Sequence, residues 1–318
     1  MTIRNFLKLV EIQTKLASLI PFALGTVFTV YRYKSFKLNN FIIMFISLFA
    51  FDMATTAINN YIGSKELKEI KIPANKSNKL ITTYNASKFA VLTIIFILIL
   101  IAIIFGIQLY LNTNIIVLFI GIISFCTGIL YTFGPIPISR MPLGELFSGL
   151  FMGFVIIFLS IYIHIFDQNI ISYIYIRNML NFSINIVEII YIFLIAIPVI
   201  NGIANIMLAN NICDVEEDIA INRFTLPYYL GRKNALRLFK LLYYISYVDI
   251  IILVALKIVP LASLLILFTF ILVNKNIKLF YDKPIKNETF VLSVKNLFII
   301  NIPQVIIIAI SAIFNRIL

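Results

Sequence analysis

Residues 89–111 read FAVLTIIFILILIAIIFGIQLYL, with no charged side chain anywhere in the run. At the helical rise per residue this run spans about 34 Å, enough to cross a hydrocarbon layer of about 30 Å. It has no polar face that a helix on an aqueous surface would need. Comparable runs lie near 16–31, 40–60, 115–133, 145–166, 187–209, 238–256, 258–273 and 296–314. Together they predict nine membrane spans. Backbone groups in lipid must bond to one another, so these runs are expected as helices and their many Ile and Val residues do not argue for strands. The chain is 61% hydrophobic and 13% charged, whereas soluble domains carry about 25% charge. The expected fold class is therefore all-α, a polytopic membrane helix bundle, as a single domain over 1–318.

Most of the 26 Lys and Arg residues fall at the N-terminus and in the loops after the second, fourth, sixth and eighth runs. The positive-inside rule then puts the N-terminus on the cytoplasmic side of the cell membrane and the C-terminus opposite. The net charge of +12 is mostly this topology signal, with attraction to anionic headgroups added. No nucleic-acid partner is expected, because the basic residues sit in separate loops. Cys126 and Cys213 lie beside apolar runs and are expected to be small buried residues without a disulfide. No cleavable signal is expected. No phosphate loop, dinucleotide fingerprint, catalytic triad or zinc set is found, and no inverted repeat of the transporter kind.

The mouth of the sixth run breaks the oily pattern. Asp214, Glu216, Glu217 and Asp218 crowd together there. Asn210, Asp214 and Asp218 recur every four residues, which places them on one helix face; Glu217 shares its edge and Glu216 points to solvent. Carboxylates at a helix C-terminus oppose its dipole unless a cation compensates. Two readings are open. The face is either a solvated acidic end balanced by Arg223 and nearby lysines, or a Mg2+ site, since Mg2+ takes one or two carboxylates together with substrate phosphates. The following segment RFTLPYYLGRKNAL, 223–236, sets Arg223, Arg232 and Lys233 beside the carboxylates, a combination suited to a diphosphate.

The pattern N-x-x-x-D-x-x-x-D at 210–218, preceded by NGIANIMLAN and followed by R-x-T-L-P and L-G, resembles the second aspartate-rich motif of the UbiA superfamily of intramembrane prenyltransferases. The stretch YTFGPIPISRMPLGELFSGLFMG, 131–153, is similar to its 1,4-dihydroxy-2-naphthoate polyprenyltransferase branch. The resemblance implies transfer from a polyprenyl diphosphate to an aromatic acceptor, with dihydroxynaphthoate and menaquinone synthesis foremost. It implies Mg2+ held by Asn210, Asp214 and Asp218, with diphosphate contacts from Asn59, Asn60, Lys65, Lys68, Arg140 and Arg223. Tyr61 and Tyr131 are candidates to shield an allyl cation. The family's first motif, commonly N-D-x-x-D, reads Asn59, Asn60, Tyr61, Ile62, Gly63 here, so both aspartates are replaced; Glu66 and Glu69 follow among lysines.

Asp52, inside the second run, shares a face with Thr56 and Asn59. A carboxylate in a membrane helix is expensive and suggests a catalytic role, against the alternative of a helix contact. His164 is expected to be structural or interfacial, and Asn201 and Asn205 to serve either packing or acceptor contact. Alternatives to the enzyme reading are an impaired relative that binds isoprenoid diphosphates, a prenyltransferase for another phenolic or lipid acceptor, and a transporter.

Overall fold

The computed structural model describes residues 2–69, 88–134, 137–176 and 179–317; among these, side chains of 63–69, 173–176, 180 and 315–317 fall outside the description. Among the described residues nine helices are long and apolar enough to cross a membrane: Ile12–Tyr33, Leu38–Ile62, Lys88–Leu111, Ile115–Thr132, Gly144–Ile165, Ile186–Cys213, Arg232–Ala255, Leu261–Asp282 and Val291–Phe314. Each coincides with an apolar run of the sequence. The seventh begins six residues earlier than expected, at Arg232. The eighth enters as a 3-10 helix, Leu261–Thr269, before continuing as an α-helix.

The helices gather into two compact units, one of residues 1–19 and 38–134, the other of 20–37 and 135–318. In the first unit the second and third spans run side by side. Ala54 and Ala57 are fully buried there, packed with Val10 and Leu98 and with Leu9 and Ile95 respectively. Small side chains let membrane helices approach closely, and the Ser47 hydroxyl uses that proximity to donate to the Ala102 carbonyl at 2.8 Å. The fourth span stacks Phe125 on Phe51 and leaves most of its other side chains outward. Cys126 is on this outward surface and Cys213 is half-buried, both unpaired, so the expectation that they are buried is corrected. An outward position on a span faces lipid, where a thiol is as acceptable as in a protein core.

In the second unit the fifth span is built in three pieces: a short α-helix, Gly144–Ser148, a π-helical segment, Gly149–Val155, and an α-helix, Ile156–Ile165. Gly149 and Gly153 lie against the sixth span so closely that a Cβ on either would stand 2.9 Å from the backbone of Ile200. The sixth span is tied to the seventh by amides. Asn201 donates to the Leu242 carbonyl (3.1 Å) and the Ser246 hydroxyl (3.2 Å), and Asn205 to the Phe239 carbonyl (3.0 Å). Both amide N–H groups thus tie the two spans together, while Asn205 Oδ1 is buried without a hydrogen-bond partner. His164 is completely buried, its Nδ1 accepting from the Lys37 N–H at 3.0 Å, in keeping with a structural role.

One connection departs from the all-helical expectation. Between the fifth and sixth spans Ile171–Ile176 and Met179–Ile184 pair as an antiparallel hairpin, with Ser172 opposite Ser183. Alternating β-branched and aromatic residues in ISYIYI favour a strand outside the hydrocarbon, where strand edges can bond to water.

Candidate active site

The sixth span ends at Cys213, and a short helix, Val215–Ala220, follows after one non-helical residue, Asp214. The helical bonding pattern survives this junction. The Asp214 N–H donates to Asn210 O at 3.1 Å and the Asp218 N–H to Asp214 O at 2.8 Å. Asn210, Asp214 and Asp218 therefore keep the common face their spacing predicts. Asp214 and Asp218 are buried, at 8% and 4% exposure, while Glu216 and Glu217 are exposed. The wet acidic helix end describes Glu216 and Glu217 but not the two aspartates.

Burial of two carboxylates a helical turn apart is unfavourable without cations. The chain supplies two. A turn at Asn222, in the left-handed region (φ 55°), folds Arg223 back so that its N–H donates to Asp218 O at 2.8 Å. The guanidinium then meets three acceptors: the Asp218 carboxylate (3.4 Å), the Ser139 carbonyl (3.1 Å) and the Asn211 amide oxygen (3.4 Å). The second cation is Lys286, which donates to Asp214 Oδ2 from the turn before the last span. Burial, reinforced by the charge of Asp214, pushes the Asp218 carboxyl up to about 6, even with Arg223 opposing. The Thr225 hydroxyl adds a long contact to Asp218 Oδ2 at 3.5 Å.

Asn211 extends the cluster inward. Its amide donates to Glu145 Oε1 at 2.8 Å, and Glu145 is 5% exposed on the fifth span. Sequence reasoning missed Asn211, Glu145 and Lys286. Glu145 lies in the quoted 131–153 stretch, and an acidic residue opening an apolar run was the available signal. Lys286 had none, since 72 residues separate it from Asp214. Arg140 ends a 3-10 turn, Ile138–Arg140, directly after the Ser139 carbonyl that Arg223 grips.

The first-motif residues lie in the other unit. The second helix continues through them to Glu69. Asn59 is exposed, and the Asn60 amide donates to the Leu9 carbonyl (3.0 Å) and to Glu11 (3.2 Å). The side chains of Gly63, Lys65, Glu66, Lys68 and Glu69 lie outside the described ones. Asp52 is fully engaged. Lys15 reaches it at 2.7 Å and gives its other hydrogens to Asp52 O (3.1 Å) and Thr56 Oγ1 (2.5 Å), while Ser18 donates to the second carboxylate oxygen. Sequence reasoning placed Asp52 and Thr56 together correctly and missed Lys15.

Among the described residues no three His, Cys, Asp or Glu side chains converge on a metal position. A cation at the second motif would be held by two carboxylates and an amide. The donor chemistry fits Mg2+: hard oxygens, few in number, leaving room for water and phosphate. Lys286, with 42% of its side chain exposed, is free to withdraw from Asp214.

Comparisons with known proteins bear on the family and the fold. A model of the UbiA prenyltransferase family matches residues 18–302. A 1,4-dihydroxy-2-naphthoate octaprenyltransferase from Bacillus subtilis (strain 168) is 29% identical over 238 residues, covering 75% of this chain and 70% of that protein. A UbiA homolog from Aeropyrum pernix K1 aligns with a TM-score of 0.64 at 19% identity, over 96% of this chain and 98% of that one. A UbiA homolog from Archaeoglobus fulgidus, solved with DMAPP and Mg2+, aligns with a TM-score of 0.59 at 12% identity, over 98% of both chains. At such identities the two structures speak for the fold alone.

Proposed function

The chain belongs to the UbiA prenyltransferase family and is a multi-pass membrane prenyltransferase, and from that premise we propose that it moves a polyprenyl group from a prenyl diphosphate to a phenolic acceptor. The acceptor we favour is 1,4-dihydroxy-2-naphthoate, in menaquinone synthesis, because the Bacillus subtilis relative is named for that reaction. We place the N-terminus on the cytoplasmic side of the cell membrane, on the distribution of basic loops.

The observation that carries the reading is the pair of buried carboxylates, Asp214 and Asp218, one helical turn apart and faced by Lys286 and Arg223. With Asn210 they would hold Mg2+, which when bound supplies positive charge to the departing diphosphate oxygens. Arg223, fixed by Ser139 and Asn211, presents its guanidinium beside Asp218. It binds diphosphate oxygens by charge-assisted hydrogen bonds as the allylic C–O bond opens. Lys286, released from Asp214, adds a second, movable positive charge. Such prearranged groups act where negative charge develops and need little reorganisation. The apolar helix faces around them keep water from the allyl cation and solvate the isoprenoid tail.

The test is turnover in membranes with octaprenyl diphosphate and 1,4-dihydroxy-2-naphthoate, with and without Mg2+. Product is expected only with Mg2+ and is expected to vanish in Asp214→Ala and Asp218→Ala; undiminished turnover in those variants would refute the assignment. One observation favours a second reading, binding without turnover: the Asn60 amide, at the place of a family aspartate, is spent on Leu9 O and Glu11. Gly63→Asp addresses it. A rise in rate would show that the first motif limits the native protein.

A further inference from the structure

Glu145 opens the fifth span with 5% of its surface exposed. Its Oε1 accepts the Asn211 amide at 2.8 Å, while Oε2 is buried and has no hydrogen-bond partner. A buried carboxyl oxygen without a donor is costly, and native structures rarely leave one so. Protonating Glu145 would not cure this, because the new O–H would then lack an acceptor. A donor for it comes from outside the chain, from a water or a ligand. The position is chemically connected: Glu145 holds Asn211, Asn211 receives Arg223 at 3.4 Å, and Arg223 meets Asp218 at 3.4 Å. The free oxygen therefore stands a few side chains from the carboxylates assigned to the leaving group.

A second observation concerns the backbone. The π-helical segment Gly149–Val155 follows Glu145 by one turn. Such segments are rare and occur mostly where a helix departs from regular geometry for a functional site. Together these features set a carboxyl oxygen, unspent and withdrawn from water, at the entrance of a wide helical segment. We propose that Glu145 Oε2 is the subsite for a hydroxyl of the aromatic acceptor. This inference rests on the proposed phenolic acceptor and adds where that acceptor is held. The hydroxyl donates to Oε2, satisfying the orphaned oxygen. An anionic acceptor on that hydroxyl raises the electron density of the ring, which favours attack on an allyl cation: a ring carbon forms the new C–C bond, diphosphate leaves with the electron pair of the broken C–O bond, and the attacked carbon regains aromaticity by losing its proton or, where it bears the carboxylate, CO2. Asn211 keeps the carboxyl fixed through Oε1, so the hydroxyl meets a prearranged oxygen.

The experiment compares binding of 1,4-dihydroxy-2-naphthoate and its O-methyl ethers to purified wild type and Glu145→Gln, by calorimetry in detergent. Glutamine retains an oxygen for Asn211 and offers an amide where Oε2 stood. Wild type is expected to favour the free hydroxyls by about 10-fold or more, the usual span for a hydrogen bond to a charged group. The Gln variant is expected to lose that preference. It should still bind a thio-substituted prenyl diphosphate like wild type, which reports an intact fold. Glu145→Asp, with its carboxylate drawn back by one methylene, should keep a reduced preference. A preference that persists in Glu145→Gln overturns the subsite. Equal binding of both ligands by wild type also overturns it, leaving Oε2 to a buried water. The underlying reading fails separately, when wild type prenylates no phenolic acceptor at all.

Discussion

Two carboxylate sites, one in each unit, are compensated in opposite ways. Asp52 meets a lysine that is itself 4% exposed, and all three ammonium hydrogens and both carboxylate oxygens are used within the cluster. Asp214 and Asp218 share a lysine that is 42% exposed and an arginine at 3.4 Å, and Asp218 titrates near 6. The first network closes on itself, with every Lys15 hydrogen and both Asp52 oxygens used. The second sets two carboxylates against Lys286, Arg223 and the Thr225 hydroxyl, and Glu145 beside it has an oxygen without a hydrogen-bond partner. Burial of charge alone does not mark a catalytic group. On this contrast we propose that Asp52, expected from sequence as catalytic, ties the first two spans together.

The sharpest way to break the comparison is to remove each acid. Asp214→Ala or Asp218→Ala should cut turnover by about 100–1000-fold, the usual loss for a prearranged stabiliser of developing charge. Their thermal midpoints should stay near wild type, because each removes a carboxylate whose burial costs hydration and leaves behind a cation that can reach water. Equal losses of stability and activity would erase the distinction. Asp52→Ala should do the reverse. It strands the Lys15 ammonium, at a cost of about 3–5 kcal/mol, read as a lowered unfolding midpoint in detergent. Lys15→Met with Asp52→Leu should recover most of that, and the folded fraction of either should keep its KM for prenyl diphosphate.

A finer test uses pH. The Asp218 carboxyl is raised from 3.8 to about 6, so folding favours its protonated form. Its contribution is fully present below about pH 4 and is lost as pH rises through about 6. In chelator, the stability of wild type relative to Asp218→Asn should therefore fall across that window, and Mg2+ should restore it above pH 6. A flat difference would mean that Asp218 is as well compensated as Asp52. The smallest effect belongs to the exposed pair Lys37–Asp167, 2.6 Å apart, where Lys37 holds the Asp167 carboxyl below its usual range. Lys37→Ala should cost no more than about 1 kcal/mol by thermal unfolding.

The spans were legible because lipid admits so few solutions: an uncharged run such as 89–111 has only one. The face of Asn210, Asp214 and Asp218 was legible for a related reason, since helical spacing is local and the hydrogen bonds continue across the break at Asp214. Arg223 was legible because it lies only five residues past Asp218. What closed each cluster came from elsewhere in the chain. Lys15 reaches Asp52 across 37 residues, Glu145 reaches Asn211 across 66, and Lys286 reaches Asp214 across 72. No periodicity encodes such meetings. The hairpin at 171–184 escaped for another reason: it was too short and too polar, with Arg177, Asn178 and Asn181, to be read as a span, and its alternation was not weighed.

The π-helical stretch in the fifth span also acts as a phase shifter. Residues in an α-helix advance about 100° each, so one surplus residue turns everything upstream by roughly that angle about the axis. Gly149–Val155 therefore fixes the azimuth of Gly144–Ser148 relative to Ile156–Ile165. Excising a single residue there would restore regular winding without removing a polar side chain, and would swing Glu145 out of line with Asn211. The bearing of that carboxyl is thus written in a count of residues.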